Sequence, residues 1–467
     1  MERCERALAR LLAATLLTAC SPTPEPTTLH FWAMGREGEV VQSLVPEFER
    51  QHPGVRVKVQ QIPWNAAHEK LLTAYAGDAL PDIFQLGNTW IPEFVILRAI
   101  EPLDERLTSA TPRADHFSGL LATSEIDGRL YGLPWYVDTR VLFYRMDILA
   151  RAGFGQPPRT WREWSDAMAR IKALPDGEHY AALFPMGEWQ LPVILGLQAG
   201  AGLLRDGDRY GDFRSEPFRR AFGFYLGLFR QGFTPAVAES QMANVYREFA
   251  AGTVAMLVTG PWNIGEFERR LPADLQGQWA TAPLPGPDGA YPGVSLAGGA
   301  SLALARSSRY KEEAWQFMEF LAYPARQVQF YRLTGDLPAR RSAWADPALA
   351  AAAPVQAFRA QMDRVASTPQ ITEWERIAAK VGQYAEKAAR GELGEGEALS
   401  RLDADVDRIL EKRRWLLDKE TSGGLHPLLQ KGGGGGLAAG IREHAGEIPP
   451  SPPFAMGGTN GQGAGGP

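Results

Sequence analysis

The sequence predicts an α/β protein with a largely parallel sheet. Strand and helix patterns alternate from residue 29 onward, and the strand candidates are short apolar or period-two runs separated by helical stretches. A chain of 467 residues also has the length of two domains of roughly 100–200 residues each.

Taken in order, residues 29–33 are a short apolar run, and Val40, Val41, Leu44, Val45 and Phe48 share one helical face. Val55-Arg56-Val57-Lys58-Val59 alternates with period two, which buries one side of a strand. A helical stretch over 69–75 and an apolar strand over 83–86 complete the first strand–helix–strand–helix–strand order. Thr160-Trp161-Arg162-Glu163 is a capping box: the Thr hydroxyl accepts from an early helix N–H, and the Glu reaches back to the cap. The helix it starts carries Trp164, Met168 and Ile171. Residues 310–321 put Ala314, Phe317, Met318 and Leu321 on one face, and a last helix from 398 to about 414 carries Leu399, Leu402, Val406, Ile409 and Leu410. No internal repeat is visible.

Both ends of the chain differ from this body. Arg3, Arg6 and Arg10 precede a short apolar stretch over 11–17, too short to span a bilayer as a helix. The stretch ends in Leu17-Thr18-Ala19-Cys20, which resembles a bacterial lipobox and implies a signal peptide over 1–19 with Cys20 as the lipidated first mature residue. Ser-Pro-Thr-Pro-Glu-Pro-Thr-Thr follows, a semi-rigid tether over 20–28 that would lift a domain off a membrane. The chain has two Cys, and Cys4 would leave with the signal, so the mature fold would hold no thiol for a disulfide, a thiolate metal site or a Cys nucleophile. At the other end, residues 423–467 hold 15 of the 49 Gly and include the run 432–436, a composition that cannot bury enough apolar area to offset its ordering entropy. A disordered tail is expected there.

Composition and motif searches mostly exclude. With 49 basic against 54 acidic residues and a net charge of −5, nothing favours nucleic acid. The seven His show no metal-ligand spacing, and there is no Walker loop, no G-x-G-x-x-G after a strand and no G-x-S-x-G elbow. No cofactor or metal is expected. Carboxylates are too many for spacing alone to find or exclude a glycosidase pair. The count of 13 Trp is high, and core packing accounts for many of them as readily as function does.

Gly252-Thr253-Val254-Ala255-Met256, followed by Gly260-Pro261-Trp262, resembles the signature of extracellular solute-binding proteins for sugars, the receptors of ABC importers. Pro81-Asp82-Ile83-Phe84, Asp127-Gly128-Arg129-Leu130-Tyr131-Gly132-Leu133-Pro134, Phe143-Tyr144-Arg145-Met146-Asp147 and Gly298-Gly299 resemble further family segments in the same order, over roughly 28–416. The resemblance implies a two-lobed periplasmic binding protein fold of type II with a sugar cleft between discontinuous lobes. One lobe would hold 28–137 and 285–322, the other 138–284 and 323–416, with crossings near 137–140, 280–284 and 323. It also implies a periplasmic or extracytoplasmic location on a lipid anchor, ABC permease subunits as partners, a small sugar ligand and a monomeric state.

Site residues follow by matching position. Glu37, in the loop Met34-Gly35-Arg36-Glu37-Gly38, matches a polar ligand loop, with Arg36 beside it; a helix-start carboxylate favoured by the dipole is the alternative. Asn88 matches a sugar-facing position or is a turn Asn. Asp138 matches a carboxylate at the first crossing or is a hinge ion pair. Trp262 matches the signature Trp that stacks on sugar, and Trp374 resembles a second stacking aromatic; core packing is the alternative for both. Ala300 departs from the pattern, because some disaccharide-binding relatives carry an aromatic just after Gly-Gly. Maltose or trehalose is the expected ligand. A secreted glycoside hydrolase with an acid pair in the same kind of cleft, and a structural surface lipoprotein, are the competing readings.

Overall fold

Leu29, Phe31 and Ala33 alternate inward along the first strand and are fully buried, as a period-two pattern requires. The computed structural model describes residues 26–108, 111–175, 180–238, 244–287 and 289–421; Cys20, the signal and tether up to residue 25, and the tail over 423–467 lie outside the described residues. The principal strands in chain order are β1 (Thr27–Met34), β2 (Val55–Ile62), β3 (Ile83–Gly87), β4 (Leu133–Asp138), β5 (Val141–Arg145), β6 (Tyr180–Leu183), β7 (Val254–Thr259), β8 (Trp279–Ala282), β9 (Gly298–Leu304) and β10 (Leu337–Pro338). They form two sheets, one ordered β10-β4-β9-β3-β1-β2 and the other β8-β5-β7-β6.

The expectation of a largely parallel sheet holds only for part of this. β1 runs parallel to β2 and β3, and β6 parallel to β7. β9 is antiparallel to β3 and β4, β10 to β4, and β5 to both β7 and β8. The cause is connectivity. Only the β1-helix-β2-helix-β3 segment is wound by short βαβ crossovers, which force parallel neighbours. β4, β9 and β10 return to the larger sheet from distant parts of the chain and are free of that constraint.

Thr139 and Arg140 alone join β4 of the larger sheet to β5 of the smaller one. The chain returns between β8 and β9, and β10, which lies beyond Tyr323, also pairs with the larger sheet. At Gly298-Gly299 the backbones of β9 and β4 come so close that a Cβ on Gly299 would stand 2.2 Å from the Tyr136 carbonyl oxygen, so neither position tolerates a side chain.

Each sheet packs helices against it, and one further cluster joins Val137 and Leu337 of the larger sheet to Phe143 and Leu257 of the smaller. On the larger one, Phe31 meets Trp135 and Phe317 at ring separations of 6.0 and 5.7 Å, and Phe317 comes from the predicted face of the helix Lys311–Ala322. On the smaller one, the helix Trp161–Lys172 buries Trp164, Met168 and Ile171. Its capping box is formed with one change. Thr160 accepts from the Glu163 N–H at 3.1 Å, while the Glu163 carboxylate accepts from Arg159 N–H at 2.7 Å, one residue before the cap. The helices Trp374–Ala389 and Glu395–Ile409 pack on each other and on Glu216–Arg230. A last helix, Glu411–Thr421, is separate from the one before it. Among the described residues no helix is long and apolar enough to cross a membrane.

Candidate ligand-binding cleft

A cavity of about 720 Å³ is lined from both sheets: by Gly87 at the end of β3, Tyr136 and Asp138 of β4, Gly298 and Gly299 of β9, and Trp262 in the loop-to-helix segment after β7. Four of the five proposed site residues, Glu37, Asn88, Asp138 and Trp262, line it together, and so does Arg36. Trp374 does not. It is fully buried at the start of its helix and packs edge-on against Trp189, at 5.5 Å and 86°. Trp189 is the one of the pair that faces the cavity. Ala300 is likewise fully buried in the core of the larger sheet.

Glu37 sits in the first turn of Gly35–Val40 and is held by a buried chain of donors. The Met34 N–H donates to Gln85 Oε1 at 2.7 Å, Gln85 Nε2 to Tyr136 Oη at 2.8 Å, and Tyr136 Oη to Glu37 Oε1 at 2.7 Å. The dipole-favoured position and the cavity-facing position are thus the same one. Burial raises the Glu37 carboxyl above the usual carboxylate range, against the hydrogen bonds that favour its charged form. Asp336, at the entry to β10, also lines the cavity; burial and the neighbouring Glu37 charge push its carboxyl well up.

Asn88 is oriented by its neighbour. The Thr123 hydroxyl donates to the Leu120 carbonyl at 2.6 Å, so it can only accept from Asn88 Nδ2, at 2.5 Å. This leaves Asn88 Oδ1 as a buried acceptor with no partner among the described residues. Asp138 lies 3.4 Å from Arg140 Nε, and its Oδ1 makes no hydrogen bond. Burial raises the Asp138 carboxyl, with the Arg140 charge opposing. Trp262 rests on Gly260, where a Cβ would stand 1.9 Å from Trp262 Cζ3; only glycine admits the indole here.

Several lining residues were not singled out in the sequence: Trp64, Trp90, Trp189, Tyr136, Asp336 and Glu375. Trp90 stands two residues after Asn88 and meets Trp64 edge-on at 6.0 Å. The usable signal would have been a Trp directly beside a polar residue where a strand gives way to a helix, as in Asn88-Thr89-Trp90.

Asp336 gives a pH-dependent expectation. An unfolded Asp ionises near 3.9, whereas the folded group keeps its proton to higher pH. Folding therefore takes up a proton above that point, and the stabilisation this group brings at low pH is lost as pH rises through its folded value. Stability measured in urea should fall as pH rises above about 4 in the wild type and fall less in Asp336→Asn. Parallel pH profiles for the two proteins would refute it.

Residues 33–328 match the family of bacterial extracellular solute-binding proteins. The chain belongs to this family. It is a family of binding proteins rather than enzymes, and the glycoside hydrolase reading is dropped on that ground. The solved sugar-binding protein MalE of Xanthomonas citri is 47% identical, with a TM-score of 0.79 over 84% of this chain and all of that one. Among family members, the diacetylchitobiose binding protein DasA of Streptomyces coelicolor is 26% identical over 355 residues, 75% of this chain and 81% of its own length. A lipoprotein of Streptomyces antibioticus is 28% identical over 361 residues, 73% of this chain and 78% of its own. The two-lobed periplasmic binding protein fold is the architecture that MalE shares with this chain.

Proposed function

We propose that this protein is the receptor of a carbohydrate ABC importer, a lipid-anchored, monomeric, extracytoplasmic protein that captures a di- or oligosaccharide and hands it to the permease subunits. Maltose and trehalose are the ligands to test first. The observation that carries the reading is the cleft. Trp64, Trp90, Trp189 and Trp262 offer flat apolar faces around Glu37, Asn88, Asp138 and Asp336. A pyranose presents the complement, a face of C–H groups and a rim of hydroxyls. Asn88 Oδ1 and Asp138 Oδ1, which accept no hydrogen bond among the described residues, are the kind of buried acceptors that hydroxyls satisfy.

In this reading the lobes are 28–137 with 285–322 and 138–284 with 323–416, corrected in that β10 and Phe330 go with the larger sheet, where they meet β4, and sugar contacts made from both lobes favour the closed population. Lipidation at Cys20 is part of the same proposal; labelled palmitate should enter the wild type and not Cys20→Ser. A structural lipoprotein has no use for such a cleft. The decisive experiment is a melting-temperature screen against a sugar panel. A ligand at 100 times its dissociation constant stabilises the folded state by about 2.7 kcal/mol. Failure of every di- and oligosaccharide to shift the melt would refute the reading.

A further inference from the structure

The apolar face of Trp262 has a cation over it. The guanidinium of Arg140 lies over the indole, 4.6 Å from the ring centroid. A guanidinium and the C–H face of a sugar compete for the same π surface, so both cannot stack there at once. The Arg140 backbone is pinned: its N–H donates to Ser295 Oγ at 3.1 Å, and that hydroxyl donates to the Arg140 carbonyl at 2.9 Å. Ser295 is fully buried. Movement is therefore confined to the side chain.

An alternative resting place exists beside it. Arg140 Nε stands 3.4 Å from Asp138 Oδ1, which has no hydrogen bond. Stacking on Trp262 thus leaves an ion pair stretched and an acceptor unmet. Leaving the indole lets Arg140 close on Asp138 or on a ligand hydroxyl.

We propose that Arg140 is a specificity-determining residue: it covers Trp262 and is displaced by an incoming sugar ring. Each ligand that stacks on Trp262 must first displace the guanidinium, which discriminates against molecules that stack weakly on the indole. This rests on Trp262 being a stacking platform for sugar.

Two experiments test it. The first needs no sugar. With 5-fluorotryptophan incorporated, the fluorine resonance of Trp262, assigned from Trp262→Phe, should shift in Arg140→Ala; an unchanged resonance overturns the proposal even if no sugar binds. The second is calorimetric titration with maltose and trehalose. Removing a partly desolvated cation–π contact should tighten binding roughly threefold to tenfold in Arg140→Ala. The gain should vanish in the Trp262→Ala background. Weaker binding in Arg140→Ala, or a gain that persists without Trp262, overturns the proposal. Absence of binding by the wild type to any sugar counts against the receptor reading instead, and leaves the fluorine result to decide whether Arg140 covers the ring.

Discussion

Trp374→Ala is expected to lower folding stability by roughly 3–5 kcal/mol, the usual cost of deleting a buried Trp side chain. The residue is fully buried and opens the helix Trp374–Ala389, whose Ile377, Ala378 and Val381 belong to the same core. The indole packs at right angles against Trp189, a rigid ring that limits collapse into the void. Affinity per folded molecule should fall far less, because Trp374 supports Trp189 from behind and is not among the cavity residues. Trp374→Phe should cost much less than Ala. It keeps most of the ring and discards an indole N–H that has no acceptor among the described residues. Urea melts and titrations on both variants separate the roles. A near-normal melt with lost affinity in Trp374→Ala would return this residue to the stacking role suggested by its position in the sequence.

What the sequence disclosed and what it hid divide along the range of the interactions. The cap at Thr160, the apolar face of Lys311–Ala322 and the alternation in β2 are local and stand as predicted, save that Glu163 reaches Arg159 and not the cap itself. The family signature is also local in its physics. Gly252 ends the helix Val245–Ala251 in the left-handed region, at φ 78°, Val254 begins β7, and Gly260 makes room for Trp262. Strand direction was not legible, because β9 and β10 find their places by pairing with residues far away in the chain.

The same limit governs the site. Trp189 and Trp374 both stand beside acidic or amide residues, Glu188 and Gln190 for one, Glu373 and Glu375 for the other. Nothing local tells which ring faces solvent and which faces the core. Only the packing of one helix start against another decides it. Asp336 comes near Glu37 by tertiary folding alone, so this pair of acids left no mark on the sequence. Glu37, Asn88 and Asp138 came from the family resemblance, position by position; each lies at the end of a strand in the larger sheet or just beyond one, where the cavity is lined.

Trp262→Ala should weaken sugar binding about thirtyfold or more, which corresponds to roughly 2 kcal/mol, the loss typical of an aromatic anchor in a desolvated pocket. The indole lies in the cavity wall between Gly260 behind it and Arg140 over it, and it is only partly buried. Loss of stability should therefore be small beside that of Trp374→Ala. The sugar loses its apolar platform, while Glu37, Asn88 and Asp138 still offer acceptors, so weakened binding with a retained preference for hydroxyl-rich ligands is the expected pattern. Trp262→Phe should recover part of the affinity, since a smaller ring still presents a π face. Titration and thermal melts on the same samples read both quantities. A collapsed melting temperature with normal affinity per folded molecule would make Trp262 a core residue, and the platform would then have to be sought in Trp64, Trp90 and Trp189.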